Sequence, residues 1–573
     1  MRRIGAGLFL LLLSQAVATA IPYVLKVAVD AILSRSKGLP LSEEAIFGSD
    51  VWSYGCLIVA MAFVTMGLSM GMRWYFNSVS RYIENDIRET YFAHLVKLSL
   101  SYYQRTPTGD LMSRATNDLN AVRMFLGFGI RMLFDALIAV SMGLAVMSMI
   151  DWKLSLIALT PLPVLAFAMN RAASGIYTGF RDVQDHFSKI SARVQENLAG
   201  MRVVKAYVQR ESEIAEFDEL NQAYLDKNKK LILLQSIVRP LAMVVGGCSL
   251  VIVLWLGGDA VISERITLGE FVAFNAYLTK LIFPMILLGW MIDRYQRGLA
   301  SMIRIQEVLS EIPAIQDAPM TSTPDQVRGE IVFDDVSFVY ADNVVLDRVS
   351  LTVPAGSTLA IVGRVGSGKT TIGRLIPRMI EPQSGEIRID GLPLNYWPVD
   401  FLRSTIGFVP QDSFLFSGTL RENIAMGAED GHERVEEASA ISRLSQDLSD
   451  FPEGYETLAG ERGVTLSGGQ KQRTALARAV LREPTVLILD DAMSSVDTHT
   501  EEEILNGLRE VMANRTTILI SHRISTVQQA DQIIVIEGGK IAEQGGHQAL
   551  IDQDGIYAEM FARQQLRQEL DEI

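Results

Sequence analysis

Long runs of Leu, Val, Ile, Ala and Met fill residues 1 to about 300, and shorter apolar runs broken by glycine and charge follow them. A helix needs about 20 residues at 1.5 Å each to cross a hydrocarbon core of about 30 Å. Apolar runs long enough to serve lie at 4–32, 52–74, 127–150, 154–172, 236–257 and 270–292. They predict six membrane spans, with a long amphipathic connection after the second and another after the fourth. An even number of crossings leaves both ends on one side of the membrane.

Lysine and arginine then set the orientation. The first long connection carries Arg81, Arg88, Lys97, Arg105, Arg114 and Arg123. The second carries Arg181, Lys189, Arg193, Arg202, Lys205, Arg210, Lys227, Lys229 and Lys230, whereas the opposite loops offer Arg35, Lys37, Lys153 and Arg265. The positive-inside rule assigns both long connections, and both termini, to the cytoplasm. The connections read as continuations of the spans, each interrupted by a break with a short amphipathic segment after it. One runs from Thr106 to Arg114 and the other from Gln195 to Lys205, and each is suited to dock on a cytoplasmic partner. Met1-Arg-Arg before an apolar run resembles a signal peptide, but the run continues to about Ile32, so it reads as an uncleaved first span.

Ionisable residues near or within the spans are Lys26, Asp30, Arg131, Asp135, Arg239, Lys280 and Asp293. Charge at membrane depth is costly and suggests function, although long side chains near span ends can snorkel. Arg131 and Asp135 are four apart and could pair on one helix face. Cys56 and Cys248 lie in apolar runs, without metal-site spacing, and read as small buried apolar residues.

Beyond a Pro/Ser/Thr/Asp-rich stretch from Gln316 to Gln326, the pattern changes to that of a soluble α/β domain. Residues 331–340 alternate like a strand, and 358–362 form an apolar run that feeds a glycine loop. The loop is Gly363, Arg364, Val365, Gly366, Ser367, Gly368, Lys369 and Thr370, and a helical pattern follows from Thr371. Strand, G-x4-G-K-T, helix is the context of a phosphate loop. Its backbone N–H groups would cradle the phosphates of ATP, Lys369 would reach the β and γ oxygens, and Thr370 would ligate Mg²⁺. Two further buried strands end at Asp490, suited to Mg²⁺, and at His522, suited to the γ-phosphate.

Leu466-Ser467-Gly468-Gly469-Gln470, taken with the phosphate loop, resembles the signature of ATP-binding-cassette proteins. The resemblance covers almost the whole chain and points to a type IV exporter half-transporter of the bacterial multidrug-resistance-like group. It implies an α-helical six-span transmembrane domain at 1–310, a linker at 311–328 and an α/β P-loop nucleotide-binding domain at 329–573. That domain would include an antiparallel β subdomain and a helical signature subdomain. Within it, Tyr340 resembles the adenine-stacking aromatic, and Gln411 the glutamine that links Mg²⁺ and the attacking water to the membrane half. Asp497 closes the loop that crosses between cassettes, and Ala459-Gly-Glu-Arg462 resembles the element that marks exporters. In the family each ATP lies between one chain's phosphate loop and the other chain's signature, so a dimer is implied.

One position departs from the family pattern. Where a glutamate polarises the attacking water, this chain has Asp491, one methylene shorter. A carboxylate misplaced by about 1 Å can cost on the order of 10²-fold in rate. The replacement resembles the degenerate site of heterodimeric exporters, with this signature completing the hydrolytic site of a non-identical partner that carries glutamate. A homodimer exporting lipid or peptide, and an ATP-gated channel or regulator on the same frame, are the alternatives. The implied setting is the bacterial inner membrane, with amphipathic small molecules or lipids as substrates. The net charge of −14 argues against a general nucleic-acid binder. The spans exclude a soluble cassette protein acting on ribosomes or DNA repair.

Overall fold

A computed structural model describes residues 2–37, 46–48, 50–340, 343–428, 431–460, 463 and 465–571. The chain divides into two compact units, one of residues 1–96 and 108–310, the other of 97–107 and 311–573. Among the described residues the first unit contains helices and no strand. Helices Arg2–Lys37, Val51–Leu95, Thr108–Leu159 and Arg210–Ile262 are each long and apolar enough to cross a membrane. The segments predicted as the fourth and sixth spans lie on helices ending at Ala199 and Leu309, where several side chains fall outside the described set.

Local sequence explains where these helices turn. Asp151 leaves the helical region (φ −155°, ψ 108°), and its carboxylate accepts hydrogen bonds from the backbone N–H groups of Lys153 (2.9 Å) and Leu154 (3.0 Å). It ends the third predicted span and caps the next. Thr267 caps helix Leu268–Leu309 through a reciprocal box with Glu270. Asp30, from the first helix, accepts from Thr267 Oγ1 at 2.7 Å and Gly269 N at 2.8 Å, while Lys26 pairs with Glu270 at 3.3 Å. Gly269 is required there, because a Cβ would sit 2.2 Å from the Lys26 carbonyl oxygen. Lys26 and Asp30 therefore tie the first helix to the last.

Two expectations need correction. Arg131 and Asp135 form no ion pair among the described residues; Asp135 accepts instead from Gln15 Nε2 on the first helix. Cys56 and Cys248 are exposed, because the helices that carry them present much of their apolar surface outward rather than to a protein core. At the first break a helical segment, Thr108–Ser113, follows Thr106-Pro107 as expected, and a further short helix, Leu100–Arg105, precedes it. Pro107 cannot donate, and the residue before proline disfavours helical backbone, so the helix stops at Arg105. The second break follows the predicted order too, with Gly200 leading into helix Met201–Ala206. The side chains of Arg239 and Asp293 lie outside the described residues.

The second unit is built on two sheets. Strands β1 (Ile331–Tyr340), β2 (Asn343–Val353), β3 (Thr358–Gly363), β4 (Ser384–Ile389), β5 (Leu392–Pro393), β6 (Ile406–Val409), β7 (Val486–Asp490), β8 (Thr516–Ile520), β9 (Gln532–Glu537) and β10 (Lys540–Gly545) follow in chain order. The antiparallel sheet runs β2-β1-β4-β5, and the larger sheet runs β10-β9-β3-β8-β7-β6. In the larger sheet β9, β3, β8, β7 and β6 are mutually parallel, with β10 antiparallel at the edge. Every residue of β7 and β8 is buried, as the continuous apolar runs of a sheet covered on both faces require. Parallel pairing matters for function: it brings the C-terminal ends of β3, β7, β8 and β6 to one edge, where ligands of open α/β sheets bind.

Candidate functional site

The loop after β3 meets that edge first. Gly363 adopts φ +149° and a Cβ there would lie 2.2 Å from the Ile536 carbonyl oxygen on β9. Gly368 adopts φ +106°, with Val345 O at 2.8 Å from the place of a Cβ. Any other residue at either position would push the loop off the sheet, so these two glycines fix its path. Between them Arg364 and Val365 stand out to solvent, and Gly366 turns with φ +82°. Ser367 is buried, and its hydroxyl has no hydrogen-bond partner among the described residues. Helix Lys369–Leu375 then starts directly on the loop, two residues before the predicted helical pattern. The N–H groups of the loop and of this helix's first turn form an anion cradle, and the orphaned Ser367 hydroxyl fits a phosphate oxygen.

Lys369 is buried, and its ammonium donates to the carbonyl oxygens of Gly363 (2.8 Å) and Arg364 (2.9 Å). Burial pulls its pKa below the ordinary lysine value, against the pull of Asp491 and Asp490. A cation held this way gains from a phosphate charge placed beside it. Thr370 Oγ1 donates to Asp490 Oδ1 at 3.0 Å, and Thr371 is buried against the sheet. Burial raises the pKa of Asp490; the Thr370 bond and the cations Arg374 and Lys369 oppose this, and neighbouring Asp491 adds to it. A cation would relieve that strain. One carboxylate and one hydroxyl at the loop mouth would suit Mg²⁺, an ion that takes its other oxygens from phosphates and water. Among the described residues no group of three or more His, Cys, Asp or Glu forms a richer cage.

Asp491 leaves β7 in the left-handed region, φ +47°, which aspartate tolerates better than most side chains. Its N–H donates to Ile520 O at 2.9 Å. Its Oδ1 lies 2.8 Å from His522 Nδ1 and accepts from the His522 backbone N–H at 3.3 Å. The carboxylate is thus committed to His522, two residues past β8. That bond raises the pKa of His522 above its ordinary value, while burial and Arg523 work against it. Gln411 stands exposed two residues beyond β6, beside the end of β7 through the Val409–Leu489 pairing. Tyr340, at the end of β1, packs edge to face on Phe338 with centroids 4.7 Å apart. Its hydroxyl is buried without a partner among the described residues.

The signature begins a helix of its own. Ser467 caps helix Gly468–Leu481 in a reciprocal box: Gln470 N donates to Ser467 Oγ at 3.2 Å, and Ser467 N donates to Gln470 Oε1 at 2.9 Å. Ser467 and Gly468 are exposed, and Gly469 lies against Ser495, where a Cβ would meet the Ser495 carbonyl oxygen at 3.2 Å. The positive end of a helix dipole is thereby presented outward. Asp497 caps helix Thr498–Met512 through Thr500 N at 2.9 Å, and these hydrogen bonds hold its carboxyl below the ordinary value. Glu461 and Arg462 of the exporter-marking element lie outside the described residues.

Two side chains that sequence reasoning passed over organise this region. Gln472 is buried; its Nε2 donates to Ser494 Oγ and its Oε1 accepts from Ser495 N, both at 2.8 Å. Arg523, beside His522, pairs with the buried Glu501 and donates to Val496 O at 3.2 Å. The loop from Ser494 to Asp497 is therefore held from the signature helix on one side and from the end of β8 on the other. Glutamine four residues into a helix carries no pattern of its own, so only position after the signature pointed to it.

Known proteins resemble this chain along most of its length. Residues 4–285 match the ABC transporter transmembrane region and 346–494 match the ABC transporter domain family. A probable multidrug resistance ABC transporter ATP-binding/permease protein, YheI of Bacillus subtilis, is 41% identical over 490 residues, covering 84% of this chain and 83% of that one. The chain belongs to the ABC transporter family. An ATP-dependent lipid A-core flippase of Desulfotalea psychrophila is 34% identical, over 88% of this chain and 90% of its own. The solved structure of a bacterial Atm1-family ABC exporter with ATP bound superposes with a TM-score of 0.80 at 30% identity, covering 98% of this chain and 99% of that one. This ABC chain is a multi-pass membrane protein of the type IV exporter fold, and its cassette is an ATPase coupled to transport. As a half-transporter it works with a second half.

Proposed function

We propose that this chain is the slow-site half of a heterodimeric ATP-driven exporter that moves amphipathic compounds, drugs or lipids, outward across the bacterial inner membrane. The observation that carries the asymmetric assignment is Asp491, a shortened carboxylate in left-handed backbone whose near oxygen is bonded to His522. A base committed in this way holds the attacking water poorly. In this reading Lys369, Ser367 and the loop N–H groups bind the phosphates, and Thr370, Asp490 and Gln411 hold Mg²⁺. Tyr340 stacks on adenine, and His522 contacts the γ-phosphate. Ser467, Gly468, Gly469 and Gln470, with Asp497, complete the ATP site of a partner that carries glutamate. Both termini are cytoplasmic by the lysine and arginine asymmetry. Domain boundaries at 310 and 329 separate spans, linker and cassette. The multidrug and flippase names of the relatives support an amphipathic substrate.

Purifying the chain with and without the product of the neighbouring gene, and measuring ATPase activity of each, tests the reading. The expected result is fast turnover only in the pair. Robust turnover by this chain alone, abolished by Asp491→Ala, would overturn the heterodimer.

A further inference from the structure

The pairing of β1 with β4 stops short of Tyr340. Its last pair is Ser337 with Ser384, the first residue of β4. The next residue in register opposite Val339 would be Pro382, which has no N–H to give. A side chain takes over at this point. Gln383 Oε1 accepts from Val339 N at 2.8 Å, and Gln383 Nε2 donates to Val339 O at 3.1 Å. The Gln383 backbone N–H donates to Ser337 O at 3.0 Å. A primary amide offers the donor and acceptor of a peptide group, so this glutamine continues the ladder that the proline ends.

The backbone around Gln383 is itself fixed, which lowers the entropy lost in holding an exposed side chain. Pro382 precedes it with a locked φ. Gly385, at φ +82°, lets β4 begin hard against β1, since a Cβ there would lie 2.4 Å from the Asp335 carbonyl oxygen. Val339 leads directly into Tyr340. The Tyr340 ring packs on Phe338, two residues back on the same face, and Phe338 is buried in the core. Phe338 thus sets the ring on one side, and Gln383 holds the backbone just before it. Among the described residues Gln383 makes no hydrogen bond to the phosphate loop. We infer that Gln383 is a positioning residue for the nucleotide base: its amide clamps Val339 so that the Tyr340 ring stands where adenine stacks. The inference rests on the stacking role proposed for Tyr340, and it assigns Gln383 to the base alone, with no part in holding phosphate.

The test photolabels the assembled transporter on ice with trace 8-azido-ATP and follows the label on this chain after electrophoresis. Competition by ATP and by inorganic tripolyphosphate, each with Mg²⁺, gives the affinity with and without a base. Gln383→Ala and Gln383→Met should each weaken ATP binding about fivefold, since both bonds to Val339 are lost, and should leave tripolyphosphate binding unchanged. Tyr340→Ala should weaken ATP binding on the order of tenfold, and adding Gln383→Ala to it should change little, because the clamp then has no ring to place. Equal weakening toward both ligands would show a general loss of cassette structure and overturn the inference. Wild-type affinity in Gln383→Met, or losses that multiply in the double variant, would overturn it as well. Unchanged ATP affinity in Tyr340→Ala would sink the stacking role and this inference together. A loss in Tyr340→Ala with none in Gln383→Ala would sink this inference alone.

Discussion

Replacing Asp491 with glutamate tests how one methylene governs the site. The added carbon extends the carboxylate by about 1 Å, beyond its bond to His522 Nδ1, toward the space in front of the phosphate loop. If water placement limits turnover, the gain at this site is on the order of 10²-fold, or about 2.7 kcal/mol of barrier. The opposing effect is conformational. Residue 491 sits at φ +47°, and glutamate holds the left-handed region less readily than aspartate, at a cost of about 1–2 kcal/mol in stability. That cost falls mainly on the folded state as a whole, so the rate gain should dominate the assay. The assay is steady-state ATPase of the assembled pair in lipid. With an active partner site, total hydrolysis should rise by no more than about twofold, because one fast site becomes two. With the partner's glutamate replaced by glutamine, the same change should raise the remaining rate on the order of 10²-fold. No rise in that second background would refute the positioning argument.

Other outcomes follow from the same geometry. Lys369→Ala should weaken binding of a fluorescent ATP analogue at this chain's loop by tenfold or more, since a buried cation with two carbonyl contacts is removed; equilibrium titration checks it. Ser467→Ala should cost about 1 kcal/mol as a lost helix cap yet reduce the pair's ATPase far more than that loss explains; comparing Tm with turnover separates the effects. Gln472→Ala should leave nucleotide binding intact and lower turnover, because the Ser494–Asp497 loop loses both 2.8 Å bonds; binding and hydrolysis measured side by side decide it. His522 should titrate above its ordinary value of 6.5, because Asp491 stabilises the imidazolium. The pair's contribution to stability is then fully present below about pH 6.5 and lost as pH rises through the raised value. It should stay under about 1 kcal/mol, because the histidine is half-exposed. Histidine NMR with Asp491→Asn should show the value falling.

Much of this fold and site is legible in the sequence. β1 spans the alternating run at 331–340, and β7 and β8 arise from continuous apolar runs, because a strand buried on both faces permits little else. The phosphate loop was legible because its glycines answer to backbone constraints, and those are local. What escaped the sequence was pairing across distance. Arg131 and Asp135 sit at helical spacing, yet Gln15, 120 residues away, holds the aspartate. Asp30 read as a suspicious membrane charge and serves as a cap for a helix that starts at Leu268. At the first break the sequence marked Thr106-Pro107 and the segment after it, but not the short helix Leu100–Arg105 before it, which has no motif of its own. The cysteines misled because apolar surroundings in a membrane helix can mean lipid as easily as core.

Nucleotide trapping distinguishes a slow site on this chain from two equal sites. The assembled pair is allowed to turn over radiolabelled ATP, inhibited with vanadate and washed, and the retained nucleotides are counted and assigned to each chain by photo-crosslinking. The account predicts intact ATP at this chain's phosphate loop and ADP at the partner's. ADP trapped equally at both loops would contradict it.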